Sequence, residues 1–182
     1  MGSGGLGGFF GARLAKGGAD VAFIARGAHL AALRTNGLAV ESTHESLHLP
    51  SVAATDDLAS VGPVDMILFA VKLWDTERAA HALAPMLGPN TAVISFQNGV
   101  QKDDVLRPIV GEKALMAGTA QVSAVIARPG VIAQTGSIQR LVFGEYDASR
   151  SARARPAARG SFEPCMIVPA VTEVCLPQAA HS

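Results

Sequence analysis

Four groups of residues have types and spacings suited to chemistry on a bound anion. The first is Gly2-Ser3-Gly4-Gly5-Leu6-Gly7, in which Gly2, Gly4 and Gly7 fit the pattern G-x-G-x-x-G. In such a turn the first glycine permits a tight bend. The second lets the backbone approach a pyrophosphate, and the third lets a helix pack closely on a strand. The pyrophosphate then rests on free N–H groups at the positive end of that helix. The chain holds 19 glycines, so the pattern gains weight only from a strand before it and a helix after it.

The second group is Arg26, which ends the apolar run Val21–Ala25. It falls about twenty residues beyond the glycine loop, where a dinucleotide fold recognises the adenosine ribose. An acidic side chain there would bind the ribose hydroxyls and favour NAD. A cation would pair with a 2′-phosphate and favour NADP. No Asp or Glu adjoins Arg26, and Asp20 lies at the other end of the run. The plain alternative is a solvated charge after a strand. The glycine loop before it favours the NADP reading.

The third and fourth groups sit where strands end. Val64–Val71 is apolar nearly throughout and runs into Lys72, and Thr91–Phe96 runs into Gln97-Asn98-Gly99. Ligands of open parallel sheets collect outside the carboxyl ends of the strands. Lys72 is therefore placed to reach a cofactor or substrate, against the alternative of a surface lysine covering its strand end. Asn-Gly is also a turn former. The Asn98 amide can serve in a turn and still donate to a ribose or a carbonyl.

The elements that position these groups follow from periodicity and punctuation. Helices are predicted over Phe9–Lys16, His29–Asn36, Asp75–Leu87 and Asp103–Val110. Buried strands are predicted over Val21–Ala25, Val64–Val71, Thr91–Phe96 and Ala114–Ala120. Leu38–Val40 and Leu47–Leu49 read as short strands, and Asp56-Asp57 as a turn or helix start. Gly88-Pro89-Asn90 reads as a helix stop, with Trp74 packed under the helix that precedes it. His29, His44 and His48 have no metal-ligand spacing and read as surface or packing residues. Beyond residue 120, β-type runs broken by Pro129-Gly130 and Gly136-Ser137 predict antiparallel strands that finish the sheet. The expected fold class is α/β, a mostly parallel sheet with antiparallel strands at the end. A central first strand of about five apolar residues is expected upstream of the glycine loop but does not precede Met1.

Composition narrows the function. The chain has 182 residues, 49% hydrophobic and 16% charged, which supports a sizeable core. Lys+Arg and Asp+Glu are both 15, so no global charge draws it to nucleic acid or an anionic membrane. No apolar run reaches the roughly 18 residues of a membrane span, and no leader peptide is visible. Cys165 and Cys175 offer no metal-site spacing. A cytoplasmic location is the expectation.

Taken together, these residues resemble the ketopantoate reductases, the 2-dehydropantoate 2-reductases of pantothenate synthesis. The resemblance rests on Gly2–Gly8 with Phe10-Gly11-Ala12-Arg13-Leu14-Ala15, and on Ala25-Arg26-Gly27 with His29-Leu30 and Asn36-Gly37-Leu38. It continues in Val71-Lys72, Gln97-Asn98-Gly99, Gly118-Thr119 and Phe143-Gly144-Glu145. It implies a Rossmann-like, NADP-binding domain over residues 1–150 that reduces the keto group of a small keto acid. By position it gives Gly2, Ser3, Gly4, Gly5, Leu6 and Gly7 to the pyrophosphate and Arg26 to the 2′-phosphate. It gives Lys72 and Asn98 to the cofactor as well, with Asn98 towards the nicotinamide, and Ala124 to a backbone contact.

The family's catalytic lysine belongs to a second, helical domain that has no counterpart here, so no catalytic residue is assigned. Residues 151–182 contain Pro156, Pro164, Pro169 and Pro177, and no lysine follows Lys113. Such proline density precludes long helices. An irregular tail is expected, with a change near Arg155 of the kind a shifted reading frame produces. Two other readings stay open: a non-catalytic NADP-binding remnant or sensor, and a reductase of another 2-keto acid.

Overall fold

The glycine loop runs straight into α1 (Gly5–Lys16), longer at its start than periodicity predicts because the glycines themselves adopt helical geometry. The computed structural model describes residues 1–99, 101–147, 149 and 153, and the backbone of 172–175. After α1 come β1 (Ala22–Ile24), α2 (Gly27–Asn36), β2 (Leu38–Ser42), β3 (Leu47–Leu49), β4 (Ala53–Thr55) and β5 (Val64–Phe69). Then follow α3 (Thr76–His81), β6 (Leu87–Ser95), α4 (Gln101–Val110), β7 (Leu115–Arg128), β8 (Val131–Gly144) and β9 (Thr172–Cys175).

One sheet runs in the order β3-β2-β8-β7-β6-β5, with β9 also on β8, while β1 and β4 form a separate pair. Pairings β1–β4, β2–β8, β5–β6 and β6–β7 are parallel, and β2–β3, β7–β8 and β8–β9 are antiparallel. The α/β fold with antiparallel strands at its end is as predicted. One apolar cluster, built around Phe9, Phe10, Leu33 and Ile132, packs α1 and α2 on the sheet. A second, around Phe69, Leu83, Ile94's neighbour Val93 and Leu106, joins α3 and α4 to β5 and β6.

Three local predictions are corrected. The single helix over Asp75–Leu87 is instead a 3₁₀ turn at Leu73–Asp75, α3, and a second 3₁₀ turn at Ala84–Met86. Pro85 lacks the N–H that would continue α3. Gly88-Pro89-Asn90 does not stop a helix but opens β6 as an irregular stretch. The Thr91 hydroxyl holds it, accepting from the Gly88 N–H at 2.8 Å and donating to the Val64 carbonyl at 2.5 Å. Beyond residue 114 the short runs are two continuous strands of 14 residues each. Pro129-Gly130 makes the turn between them, whereas Gly136, at φ +78°, only shifts the register where Ser123 meets Thr135. The predicted irregular tail lies largely outside the described residues.

The gap between β1 and β5 is the main departure from a continuous sheet. Met1 pairs with Phe69 in parallel fashion: its amine donates to the Leu68 carbonyl at 2.7 Å, and the Ala70 N–H donates to its carbonyl at 2.9 Å. On the other side the Ser3 N–H donates to the Ile24 carbonyl at 3.0 Å. Residues 1–3 therefore bridge β1 and β5 at their carboxyl ends. Below that bridge lies a cavity of about 1090 Å³, lined by both strands and by Gly7, Gly11 and Leu14 of α1. No helix among the described residues is long and apolar enough to cross a membrane.

Candidate functional site

Four backbone segments converge above that bridge: the glycine loop, the β1–α2 junction, the end of β5 and the end of β6. They surround a second cavity of about 660 Å³. Its lining brings together Gly2, Ser3, Gly4, Gly5, Leu6, Arg26, Lys72, Asn98 and Ala124. Among the candidate residues only Gly7 faces elsewhere, towards the gap between β1 and β5.

Each glycine of the loop has its own reason to lack a side chain. Gly2 has φ +83°, and a Cβ on it would stand 3.0 Å from the backbone of Ala70 and Val71. A Cβ on Gly7 would stand 2.3 Å from the Gly2 carbonyl oxygen, so Gly7 lets α1 close over the loop. Gly5 lies against the Ala124 carbonyl, which brings β7 to the loop. Gly4 differs from these, because a Cβ there meets nothing within 4 Å. It is the N-cap of α1, and no side chain caps that helix. The first-turn N–H groups of α1 thus lack intrahelical partners and present partial positive charge at the cavity.

The charged side chains around the cavity suit an anion. Arg26, at the N-cap of α2, and Lys72, after β5, are exposed. Among the described residues no ion pair engages either. Asp75, a carboxylate in the lining, is already paired with Arg78. Asn98 is exposed at the end of β6. Two cations and an uncapped helix start therefore face one cavity, a setting that concentrates anionic ligands.

The floor beneath Lys72 and Asn98 was not foreseen from sequence. The Gln97 amide nitrogen donates to the Val71 carbonyl at 2.9 Å and to the Thr76 hydroxyl at 2.7 Å. Lys102, buried at the start of α4, donates to the carbonyls of Ser95 (2.8 Å), Gln97 (2.9 Å) and Gly118 (3.2 Å). Burial pushes its amine below the usual lysine range, with Asp103 acting in the opposite direction. These bonds lock the ends of β5, β6 and β7 together. The sequence signal was slight: a lysine in the first turn of a helix ordinarily reads as surface.

Two sequence readings change at the cavity wall. Trp74 does not pack under the following helix; it is 82% exposed and sits at the cavity rim. It lies in the 3₁₀ turn that precedes α3. His29 is not a surface or ordinary packing residue, because it lines the cavity and binds the Ser3 carbonyl and the Gly130 N–H. Among the described residues no three His, Cys, Asp or Glu side chains gather as a metal site.

Comparison with known proteins bears on the fold and the family. A family model described as "Ketopantoate reductase PanE/ApbA" matches residues 1–148. A 2-dehydropantoate 2-reductase of Mesorhizobium japonicum is 38% identical over 101 residues, covering 55% of this chain and 31% of that protein. The crystal structure of a 2-dehydropantoate 2-reductase from Geobacter metallireducens superposes with a TM-score of 0.78 at 28% identity, over 85% of this chain and 51% of that one. One from Porphyromonas gingivalis gives 0.78 at 31% identity, over 86% of this chain and 58% of that one. The chain thus spans between about a third and somewhat over half the length of these relatives.

Proposed function

Because the chain belongs to the ketopantoate reductase family, we propose that residues 1–150 bind NADPH in the strand-end cavity and form the cofactor half of a 2-keto acid reductase. The names of the relatives make ketopantoate the first substrate to test. The observation that carries the reading is the convergence of Arg26, Lys72 and Asn98 on an uncapped helix start with open space at Gly4. Those donors fit a dinucleotide. Gly4 to Leu6 would hold the pyrophosphate through backbone N–H groups. Arg26 would take the 2′-phosphate in a charge-assisted bond. Lys72 and Asn98 would orient the remainder, and the Ala124 backbone would bound the cavity opposite Gly5.

When bound, NADPH supplies the hydride that reduces the carbonyl carbon. The chain's own residues bind and orient it. Protonating the carbonyl oxygen needs an acid. Lys72 is the only lysine in the cavity lining, and the reductases place their catalytic lysine in the second domain. That observation favours a second reading, an NADP-binding module without catalysis of its own.

Calorimetric titration followed by a turnover assay separates the readings. The expected result is saturable NADPH binding, much tighter than NADH. Oxidation of NADPH with ketopantoate should be lower than in a full-length relative by at least the roughly 10²–10⁴ that general acid catalysis contributes. Binding without turnover selects the module. Binding of neither nucleotide sinks both readings.

A further inference from the structure

We propose that His29 is a positioning residue that aims the backbone N–H of Gly4 at the anionic part of a dinucleotide, an inference that rests on reading the cavity as the NADPH site. The bonding pattern fixes which ring nitrogen does what. The Gly130 N–H donates to His29 Nδ1 at 3.1 Å. A backbone N–H can only donate, so Nδ1 offers a lone pair and the ring proton of neutral His29 lies on Nε2. Nε2 donates to the Ser3 carbonyl at 2.9 Å.

Peptide planarity turns that bond into an orientation. The Ser3 carbonyl and the Gly4 N–H belong to one trans peptide and point in opposite directions. The preceding Gly2–Ser3 peptide is held as well, since the Ser3 N–H donates to the Ile24 carbonyl at 3.0 Å. With the Ser3 carbonyl pinned to His29, the Gly4 N–H is pinned away from it. Gly4 is the residue of the loop where an added Cβ would meet only open space, whereas Gly2, Gly5 and Gly7 are closed in by backbone.

The anchor behind His29 is rigid. Gly130 has φ +79°, and a Cβ on it would stand 3.1 Å from the Ala32 Cβ. Its carbonyl accepts from the Ala39 N–H at 2.9 Å. The β7–β8 turn is therefore bonded through both its N–H and its carbonyl, and His29 carries its position across to the loop. The donors of an anion site gain most when their directions are set before the ligand arrives.

Two amide replacements test this. In His29→Gln the side-chain nitrogen can take the place of Nε2 and keep the Ser3 bond. In His29→Asn the shorter amide can take the place of Nδ1 and keep only Gly130. Affinities are measured for NADPH, for ADP, which carries a pyrophosphate without a 2′-phosphate, and for adenosine 2′-monophosphate, which carries the reverse. His29→Asn should bind NADPH and ADP about tenfold more weakly, the effect of one lost orienting bond of about 1.4 kcal/mol. It should leave adenosine 2′-monophosphate within about twofold by the same scale. His29→Gln should retain most of the ADP affinity. Equal affinities in the two variants, or equal losses for all three ligands, overturn the inference. Wild-type chain that binds no NADPH instead overturns the reading of the cavity, before any variant is made.

Discussion

Gly5 and the Ala124 carbonyl are in such close contact that a Cβ on Gly5 would stand 1.9 Å from the oxygen, whereas one on neighbouring Gly4 would touch nothing within 4 Å. Adjacent glycines therefore serve different ends. Gly5→Ala should force the loop off β7, an overpacking that costs about 1–3 kcal/mol and lowers the melting temperature by about 2–4 °C per kcal/mol. Gly4→Ala should melt near wild type yet bind NADPH at least about tenfold more weakly, because the methyl group occupies the ligand's approach. Thermal melts paired with NADPH titrations check both. A large melting shift for Gly4→Ala would mean that this opening has a structural rather than a ligand-binding purpose.

Arg26 stands without an ion-pair partner among the described residues, which leaves its guanidinium available to a phosphate. Arg26→Ala should weaken NADPH about ten- to hundredfold, the range for bonds to a charged group. NADH should be nearly unaffected. Titration of both nucleotides decides the matter, and parallel losses would make Arg26 a structural residue.

Lys102 satisfies three carbonyls from beneath the site. Lys102→Met should strand those acceptors and destabilise the fold by about 1–3 kcal/mol. It should also loosen Asn98 through Gln97, so NADPH affinity should fall while that of adenosine 2′-monophosphate, which need reach only Arg26, holds. Chemical denaturation alongside the two titrations measures these effects. Unchanged stability would show that water can replace the amine.

The Met1 amine gives a pH dependence of definite sign. Burial lowers it from 8.0 to about 5. Above 8 it is neutral in folded and unfolded chains and contributes nothing. Between 8 and 5 only the unfolded chain takes up the proton, so stability falls as pH falls, by at most about 1.4 kcal/mol per unit; below 5 the effect levels off. Melting curves at pH 5, 6.5 and 8 should show the slope, and acetylating the amine should remove this part of it. Identical slopes with and without the acetyl group would mean that the amine is solvated.

The gap between β1 and β5 predicts a gain of structure. Five apolar, β-branched residues fused ahead of Met1 should continue the Met1–Phe69 pairing and raise the melting temperature. Amides of Ala22 and Leu68, which alternation along the strands turns towards the gap, should then exchange more slowly. A fusion carrying an aspartate at its centre should not do this. Unaltered exchange at those amides with the apolar fusion would mean that the two strands are not free to accept a neighbour.

Much of this was legible in sequence, for reasons that differ by element. The glycine loop, the buried run Val64–Phe69 and the strand ends at Arg26, Lys72 and Asn98 follow local rules, and the structure brings those residues to one cavity. What failed depended on distant partners. β4 is too short and mixed to show periodicity, and it is defined by its parallel pairing with β1. Gly136 reads as a turn, yet β7 pairs with the strand on both sides of it, so the chain bulges there without reversing. His29 and Lys102 look ordinary because their significance lies in carbonyls at Ser3, Ser95 and Gly118, which no spacing rule connects. Pro85 is visible in the sequence, and its missing N–H is a local signal that the helix divides there.

The β7–β8 hairpin also bears on how the chain finds its fold. Its strands are neighbours in sequence and lie in the middle of the sheet order, so its contacts close short loops and cost little entropy. The parallel pairings on either side must wait for helices to swing back over longer stretches. The hairpin is thus the natural template on which β2 and β6 assemble. Gly130, whose positive φ makes its turn, is then a kinetic residue as well as a structural one. Replacing it would slow refolding more than it would hasten unfolding, a signature that stopped-flow kinetics would separate from simple loss of stability.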